Sequence, residues 1–544
     1  MSSLRGARAM AVGTVISRVT GFAKTALLVA VLGLEGVMLP FNLANTAPNI
    51  ILEIVLGGII TSALVPLLVR AQHEGHGEAF AQRLLSLALL GLGTLSVLLV
   101  LLAPQIIDIY DGGMTADDRS LAITFARFFL PQVLFYGLGA IVGAYLNTQG
   151  RFGPPMWTPV LNNLVVILTL GVFVLLPGPT ALTSTTITES QVLLLGLGVT
   201  LGIVAQTVAL LPALRATGLR LRLRLDLRGS GLGAVGRLGR WTLVYVLGNQ
   251  LVLVVVAQLA TATGNKRDFP SYTAAFVLWQ LPHAVIAVSV ITALLPGMSQ
   301  AAVELRTADL RRQLDRGLRL TTSLLVPASV ALLVLGQPIA TLVFGHGQTS
   351  AEDARFVGTM LSLFACGLVA FSAYQLQLRA FYALQDTRTP ALMNLGINAT
   401  AIVVDVVLWL SLPNDQKALG LAAGQASSYI VGVVVCSRVL ARRVPRDAEG
   451  HVLRTALRCL LAAAVPAALA LGVSLGVQEL AGRSPLGSGL AAAAAGLVLI
   501  AGYLPLARRL RVAEVDELVE PVLTKITKGR SGSRTGPTPP TPQE

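Results

Sequence analysis

Stretches of twenty or more mostly apolar residues follow one another from residue 10 to residue 508, separated by short polar segments. A helix needs about 20 such residues to cross the hydrocarbon core of a bilayer. In lipid, a helix satisfies every backbone hydrogen bond within its own segment. About fourteen stretches qualify by hydropathy, from 10–34 and 41–69 at the start to 455–478 and 484–508 at the end. Only 12% of the residues are charged and the mean hydropathy is +0.72, whereas a water-soluble domain carries roughly 25% charged residues. The expected fold class is an all-α polytopic membrane protein.

The net charge of +14 would suggest a nucleic-acid partner in a soluble chain. Here the basic residues lie in loops with almost no aromatic residues among them, so no base-stacking surface forms. Alternate loops carry the arginines: Arg215, Arg220, Arg222, Arg224, Arg228, Arg237 and Arg240 in one, Arg306, Arg311, Arg312, Arg316 and Arg319 in another. Arg438, Arg442, Arg443, Arg446, Arg454 and Arg458 fill a third. The intervening loops (DIYDGGMTADDRS, TGNKRDFPS, GHGQTSAEDAR, PNDQKA) are sparse in basic residues or acidic. By the positive-inside rule both termini are cytoplasmic. The period-two run LRLRLRLDLRG reads either as a strand or as a segment lying on anionic headgroups of the bilayer. Arg18 and Lys24 interrupt the first apolar stretch, which a cleavable signal core does not tolerate. Cys366, Cys436 and Cys459 lack metal-ligand spacing and read as packing residues.

The two halves repeat. The segment beginning at Phe135 aligns without gaps on that beginning at Phe371, so Ala144/Ala380, Gln149/Gln385, Pro154/Pro390 and Asn162/Asn398 coincide. SALVP (Ser62–Pro66) echoes TALLP (Thr292–Pro296). Six spans separate matched elements, which implies parallel six-helix lobes related by an axis along the membrane normal. The organisation expected is an N-lobe over 1–214, a basic cytoplasmic linker over 215–240 and a C-lobe over 241–441. Two extra C-terminal helices over 442–508 and a cytoplasmic, disordered tail over 509–544 complete it.

Charges inside spans cost about 2.5–3.5 kcal/mol each on insertion scales, so each calls for a reason. Span one carries Ser17, Arg18 and Lys24; in span two Asn42, Asn45, Asn49 and Glu53 share one helical face. Pro48 within that face implies a kink or local unwinding. The pattern fits a hydrophilic cavity for an anionic substrate, with Glu53 balancing the cations when it is empty. It equally fits a buried Arg18–Glu53 pair that fixes packing. Span eleven has Asn394, Asn398 and Asp405; Asp405 with Asn398 marks an ion or proton site or a helix-packing group. Trp279, Gln280 and His283 read as packing, and Trp157, Trp241 and Trp409 as interfacial anchors. No P-loop, HExxH, metal-binding Cys/His spacing or GxSxG context points to an enzyme, and no cofactor is implied.

SRVTGFAK (Ser17–Lys24), NTAPNIILEIVLGGIITSALVPLLVRA (Asn45–Ala71), NTQGRFGPPMWTPVLNN (Asn147–Asn163), LVFGHG (Leu342–Gly347) and RAFYALQDTRTP (Arg379–Pro390) together resemble the MurJ/MviN family. The resemblance implies a two-lobe bundle of the multidrug/oligosaccharidyl-lipid/polysaccharide transporter superfamily. It also implies alternating access that moves lipid II, the undecaprenyl-pyrophosphate-linked disaccharide-pentapeptide, from inner to outer leaflet. Arg18 and Lys24 match the family's basic cavity positions in span one. The chain departs from the family pattern at Leu39, Leu52, Gly57 and Val277. Asp405 matches a sodium-binding carboxylate of some members, whereas Ala401 and Val252 replace its companions. Export of another lipid-linked glycan, and a scaffold that recruits cell-wall synthesis or division proteins, remain alternatives.

Overall fold

The computed structural model describes residues 2–53, 65–219, 222–224, 232–444 and 451–516; for 2–12, 65–66, 232–239 and 451 it describes the backbone alone. Gly57, Ser62, Arg220, Arg228 and Arg446, all named above, and the tail from 517 lie outside the described residues. Among those described, the only regular elements are helices. The first half holds α1 (Ser2–Leu32), α2 (Met38–Glu53), α3 (Val65–His73), α4 (Gly77–Leu101), α5 (Ala103–Asp108), α6 (Ala116–Phe129), α7 (Gln132–Thr148), α8 (Gly153–Leu175), α9 (Glu189–Val208) and α10 (Leu211–Arg215). The second holds α11 (Leu232–Thr261), α12 (Asp268–Pro282), α13 (Val288–Val303), α14 (Thr307–Phe344), α15 (Ala351–Ala383), α16 (Arg388–Ser411) and α17 (Lys417–Ala441). The chain continues through α18 (His451–Ala481) and α19 (Pro485–Arg509).

Among the described residues, thirteen helical runs are long and apolar enough to cross a bilayer. The first, Gly13–Glu53, has 41 residues, and would reach about 60 Å if straight, twice the hydrocarbon thickness. It breaks at Gly36, whose φ of −84° and ψ of −117° leave the helical region, so the run comprises two spans and the expected total of about fourteen is met. Helix α2 continues through Pro48 to Glu53 without unwinding, and the break in the run is at Gly36, which has no Cβ.

Small residues bring the helices close. On α1, Gly13 faces the Trp157 ring and Gly21 faces the Asn163 amide of α8. With Ser17 between them they form a small-xxx-small seam, the usual device for close approach in membranes. Gly336 of α14 and Gly358 of α15 likewise face each other's backbone, so a Cβ at Gly358 would overlap Gln337. Helix α15 is the centre of the second half; Phe364, Leu368, Tyr374 and Phe381 along it are all buried. Outward faces carry exposed apolar stripes such as Leu193, Leu197 and Leu201 on α9, which suit lipid. Helices α18 and α19 pack on each other and on α14.

The internal repeat is visible in the elements. At the offset that lays Ser62–Pro66 on Thr292–Pro296, the end of α3 falls on the end of α13, and the start of α4 on the start of α14. Equivalent N-caps recur too. The Thr115 hydroxyl accepts from the Asp118 N–H at α6, and Ser350 accepts from the Asp353 N–H at α15. Replacing Gly358 with Leu should cost about 1–3 kcal/mol by overpacking the α14–α15 crossing, seen as a lower unfolding midpoint in detergent. Gly396→Ala, which meets open space, should leave the midpoint unchanged or raised; equal midpoints for both variants would refute the close-crossing account.

Candidate functional site

The intramembrane cations expected from the sequence meet no carboxylate. Arg18 is exposed and Lys24 half-buried on α1, and neither makes an ion pair among the described residues. Arg18 and Arg379 of α15 both act electrostatically on His283, so cations from the two halves flank one point. The Nε of Arg379 is buried without a hydrogen-bond partner. Its guanidinium lies 5.8 Å from the Tyr382 ring centroid. In the sequence Arg379 figures only as the first residue of the RAFYALQDTRTP motif; a lone arginine in an apolar stretch is the signal that marks it as a site residue. Val277, where the resemblance leads one to expect an arginine, is a half-buried apolar residue of α12.

The polar face of α2 is largely engaged in joining elements. Asn42 Nδ2 donates to Thr273 Oγ1 of α12 at 2.9 Å. Asn49 Oδ1 accepts from the Tyr136 hydroxyl at 3.5 Å, and Asn45 is half-buried on the same face. Glu53 is exposed and accepts from Gln250 Nε2 at 2.6 Å. The Arg18–Glu53 pair that the sequence allowed is therefore absent: a neutral amide of α11 holds the carboxylate instead. Ser17 lies on the seam with α8, where its carbonyl accepts from Asn163 Nδ2 at 3.2 Å. The same amide donates to Thr20 Oγ1 at 3.0 Å. His283 Nδ1 lies 2.8 Å from the Ser372 hydroxyl, its ring against Phe371 at 4.5 Å.

At the arginine-poor end the halves are bonded together. The Gln348 N–H donates to the Ala30 carbonyl at 2.8 Å, and Thr349 Oγ1 to the Val29 carbonyl at 2.9 Å. This approach needs glycine at 347, whose φ is +63° and whose Cβ would overlap the Ala30 carbonyl. Thr261 Oγ1 accepts from the Gly112 N–H at 2.8 Å. Two successive cations of the α11–α12 loop then engage the two equivalent cap carboxylates. Lys266 Nζ lies 2.8 Å from Asp118 Oδ2 across the halves, and Arg267 lies 2.9 Å from Asp353 Oδ1. Asp118 is 1% exposed and also accepts from Thr115 and Ser184. Burial alone would lower the pKa of Arg267, but the hydrogen bond and charge of Asp353 hold it above the ordinary value.

Asp405 is completely buried on α16, and neither carboxylate oxygen has a hydrogen-bond partner. It lies against α17 at Gly424, where a Cβ would overlap Oδ1. Asn398 belongs to a separate group: its Nδ2 and that of Asn394 donate to Asn249 Oδ1 of α11 at 3.1 and 2.9 Å. The structure shows no hydrogen bond joining Asn398 to Asp405. Among the described residues no group of three or more His, Cys, Asp or Glu side chains is placed to hold a metal ion.

Two related helical halves, bonded at one end, with intramembrane cations that have no carboxylate partner among the described residues, define the architecture of a polytopic transporter. Solved structures share it. A lipid II flippase MurJ in an inward closed conformation superposes with a TM-score of 0.71 at 19% identity, covering 90% of this chain and 97% of that one. An inward-facing MATE transporter of the MOP superfamily gives 0.64 at 15% identity, covering 80% and 96%. The family model described as lipid II flippase MurJ matches residues 28–485, and the chain belongs to that family. The lipid II flippase MurJ of Burkholderia cenocepacia is 28% identical over 71% of this chain and 74% of its own length. The probable lipid II flippase MurJ of Rhizobium meliloti is 27% identical over 84% of each.

Removing one partner of a pair leaves the other charge uncompensated, and here Asp118 is buried while Lys266 is a third exposed, so Lys266→Ala should favour separation of the bonded end. A cysteine introduced as Thr273→Cys, in a background lacking the native thiols, should then react at least about tenfold faster with a membrane-impermeant reagent from that side. Unchanged reactivity would show that Lys266 does not hold the end closed.

Proposed function

We propose that this protein is a lipid II flippase of the bacterial plasma membrane, carrying the undecaprenyl-pyrophosphate-linked precursor from inner to outer leaflet by alternating access. The observation that carries the reading, beside family membership, is the set of cations at Arg18, Lys24 and Arg379 that have no carboxylate partner among the described residues. Three positive groups within membrane spans are costly when unmatched, and a pyrophosphate supplies the missing charge. Guanidinium groups bind phosphate oxygens in a fork, and the Lys24 ammonium adds a point charge. Ser17, Asn42, Asn45, Asn49 and Glu53 border this region in our reading, with the asparagines offering neutral donors to a polar headgroup.

The arginine-rich loops favour a cytoplasmic location for both termini, so the bonded end faces outward. The structure then corresponds to a state closed to the outside, in which the headgroup enters from the cytoplasmic leaflet. Opening outward requires the Lys266–Asp118 pair and the Gln348–Ala30 contact to part. Neutralising the cations with a bound pyrophosphate removes repulsion across the cavity and lets the halves rock. Asp405 is the candidate coupling group: a buried carboxyl without partners is stable when a proton or a monovalent cation accompanies it. Asn398, also on α16, bonds instead to Asn249 of α11 and forms a separate polar group.

Depletion of the protein with variants supplied in trans tests the substrate. Lipid II reached by an external lipid II-cleaving enzyme is measured against the total pool. Wild type should restore the accessible fraction, while Arg18→Ala/Lys24→Ala and Arg379→Ala leave it collapsed as total lipid II rises. Accessibility unchanged by depletion would sink the lipid II assignment in favour of another glycolipid or a scaffold.

Asp405→Asn keeps the shape and removes the charge, so its unfolding midpoint should equal or exceed that of wild type. Flipping should slow by a factor within the 5–150-fold range typical of a coupling free energy, here about tenfold or more. A wild-type rate would exclude Asp405 from coupling.

A further inference from the structure

The two repeats carry matching cavities on the arginine-rich face. At the offset of the Ser62–Pro66 echo, His76 falls on Arg306, Ala79 on Asp309 and Gln82 on Arg312, and each of these turns borders a cavity. The one beside α13 and α14 measures about 240 Å³; the one beside α3 and α4 measures about 500 Å³ and is lined by His76, Glu78, Gln82, Arg222 and Arg224.

Their electrostatics differ. In the smaller cavity protein carboxylates already hold the guanidinium groups: Arg306 pairs with Glu304 and Asp309, and Arg312 with Asp309. In the larger, neither Arg222 nor Arg224 pairs with a carboxylate among the described residues. The lining carboxylate Glu78 accepts from Gln82 Nε2 at 3.0 Å, and His76 Nε2 lies 3.4 Å from Glu74.

The segment that brings these arginines is pinned at both ends. Leu219 is buried among Leu68, Phe80, Leu84 and Leu214. The Arg224 N–H donates to Ser86 Oγ of α4 at 2.8 Å. Between the pins Leu223 is 72% exposed. Two arginines lining a cavity with no carboxylate partner among the described residues, and an exposed leucine between them at the end of a membrane-crossing bundle, match the boundary between headgroups and acyl chains.

We infer that this cavity binds the phosphodiester headgroup of an anionic phospholipid from the cytoplasmic leaflet. Arg222 and Arg224 donate to the phosphate oxygens, and Leu223 lies against the acyl chains. The site is separate from the central cations and does not depend on what they carry. A lipid held there bridges the α3–α4 turn and the connection leading into the second half.

Purified full-length protein in detergent, titrated with phosphatidylglycerol or phosphatidylcholine and followed by native mass spectrometry, tests this. Wild type should retain one more phosphatidylglycerol than Arg222→Ala/Arg224→Ala, with affinity at that site falling about tenfold or more on loss of two surface arginines. Arg222→Lys/Arg224→Lys should keep most of the binding, which separates loss of charge from misfolding. Phosphatidylcholine binding should not differ, and Arg306→Ala/Arg312→Ala should leave the phosphatidylglycerol count unchanged. Equal retention by wild type and the double alanine variant overturns the site. Displacement of the extra phosphatidylglycerol by excess inorganic pyrophosphate overturns the lipid assignment in favour of a soluble phosphate, and resistance to displacement supports the lipid.

Discussion

Hydrocarbon offers a polar group no water, so each charge in this protein is either paired by protein or left for something that arrives from outside. That constraint sorts the structure. Lys266 with Asp118 and Arg267 with Asp353 are pairs at helix ends, Arg319 within α14 pairs with Glu514 beyond α19, and all three tie elements together. Arg18, Lys24, Arg379 and Asp405 have no such partners among the described residues, and they lie within the spans. The first group holds the bundle; the second gives it something to do. Moving a charge from one group to the other would alter both stability and transport, because the same desolvation cost governs each.

Duplication supplied the frame, and divergence supplied the sites. The caps at Thr115 and Ser350 each place an aspartate three residues on, and one short loop presents consecutive cations to both. A single loop thereby joins the two halves at one end. Elsewhere the copies differ, and the differences carry the chemistry. In the long repeat Gly143 of the first copy occupies the position that Arg379 holds in the second. Beside the α13–α14 turn Arg306 and Arg312 are neutralised by acids; beside the α3–α4 turn Arg222 and Arg224 make no such pair among the described residues. Equivalent backbones thus present unlike electrostatic surfaces.

The fold is legible in the sequence because the apolar stretches are nearly uninterrupted and each is long enough to span; only a 41-residue run needs division, and Gly36 divides it. The site is legible in part. Arg18 and Lys24 stand out by cost alone, as does Asp405. Arg379 carries the same cost, but one arginine within a motif does not reveal that its charge meets that of α1 at His283. The face of α2 bearing Asn42, Asn49 and Glu53 is readable from helical period, but its partners Thr273, Tyr136 and Gln250 come from α12, α7 and α11.

By itself the sequence determined that this chain lives in a bilayer, that it is built of two related halves, and which residues pay for being there. Tertiary structure alone decided which of those residues are paired. Glu53 goes to Gln250 rather than Arg18, Ser17 turns to the α8 seam, and Lys266 reaches Asp118 across 148 positions of chain. The physical reason is that helical period fixes a residue's direction from its own axis, whereas the identity of its neighbour depends on how separate helices pack.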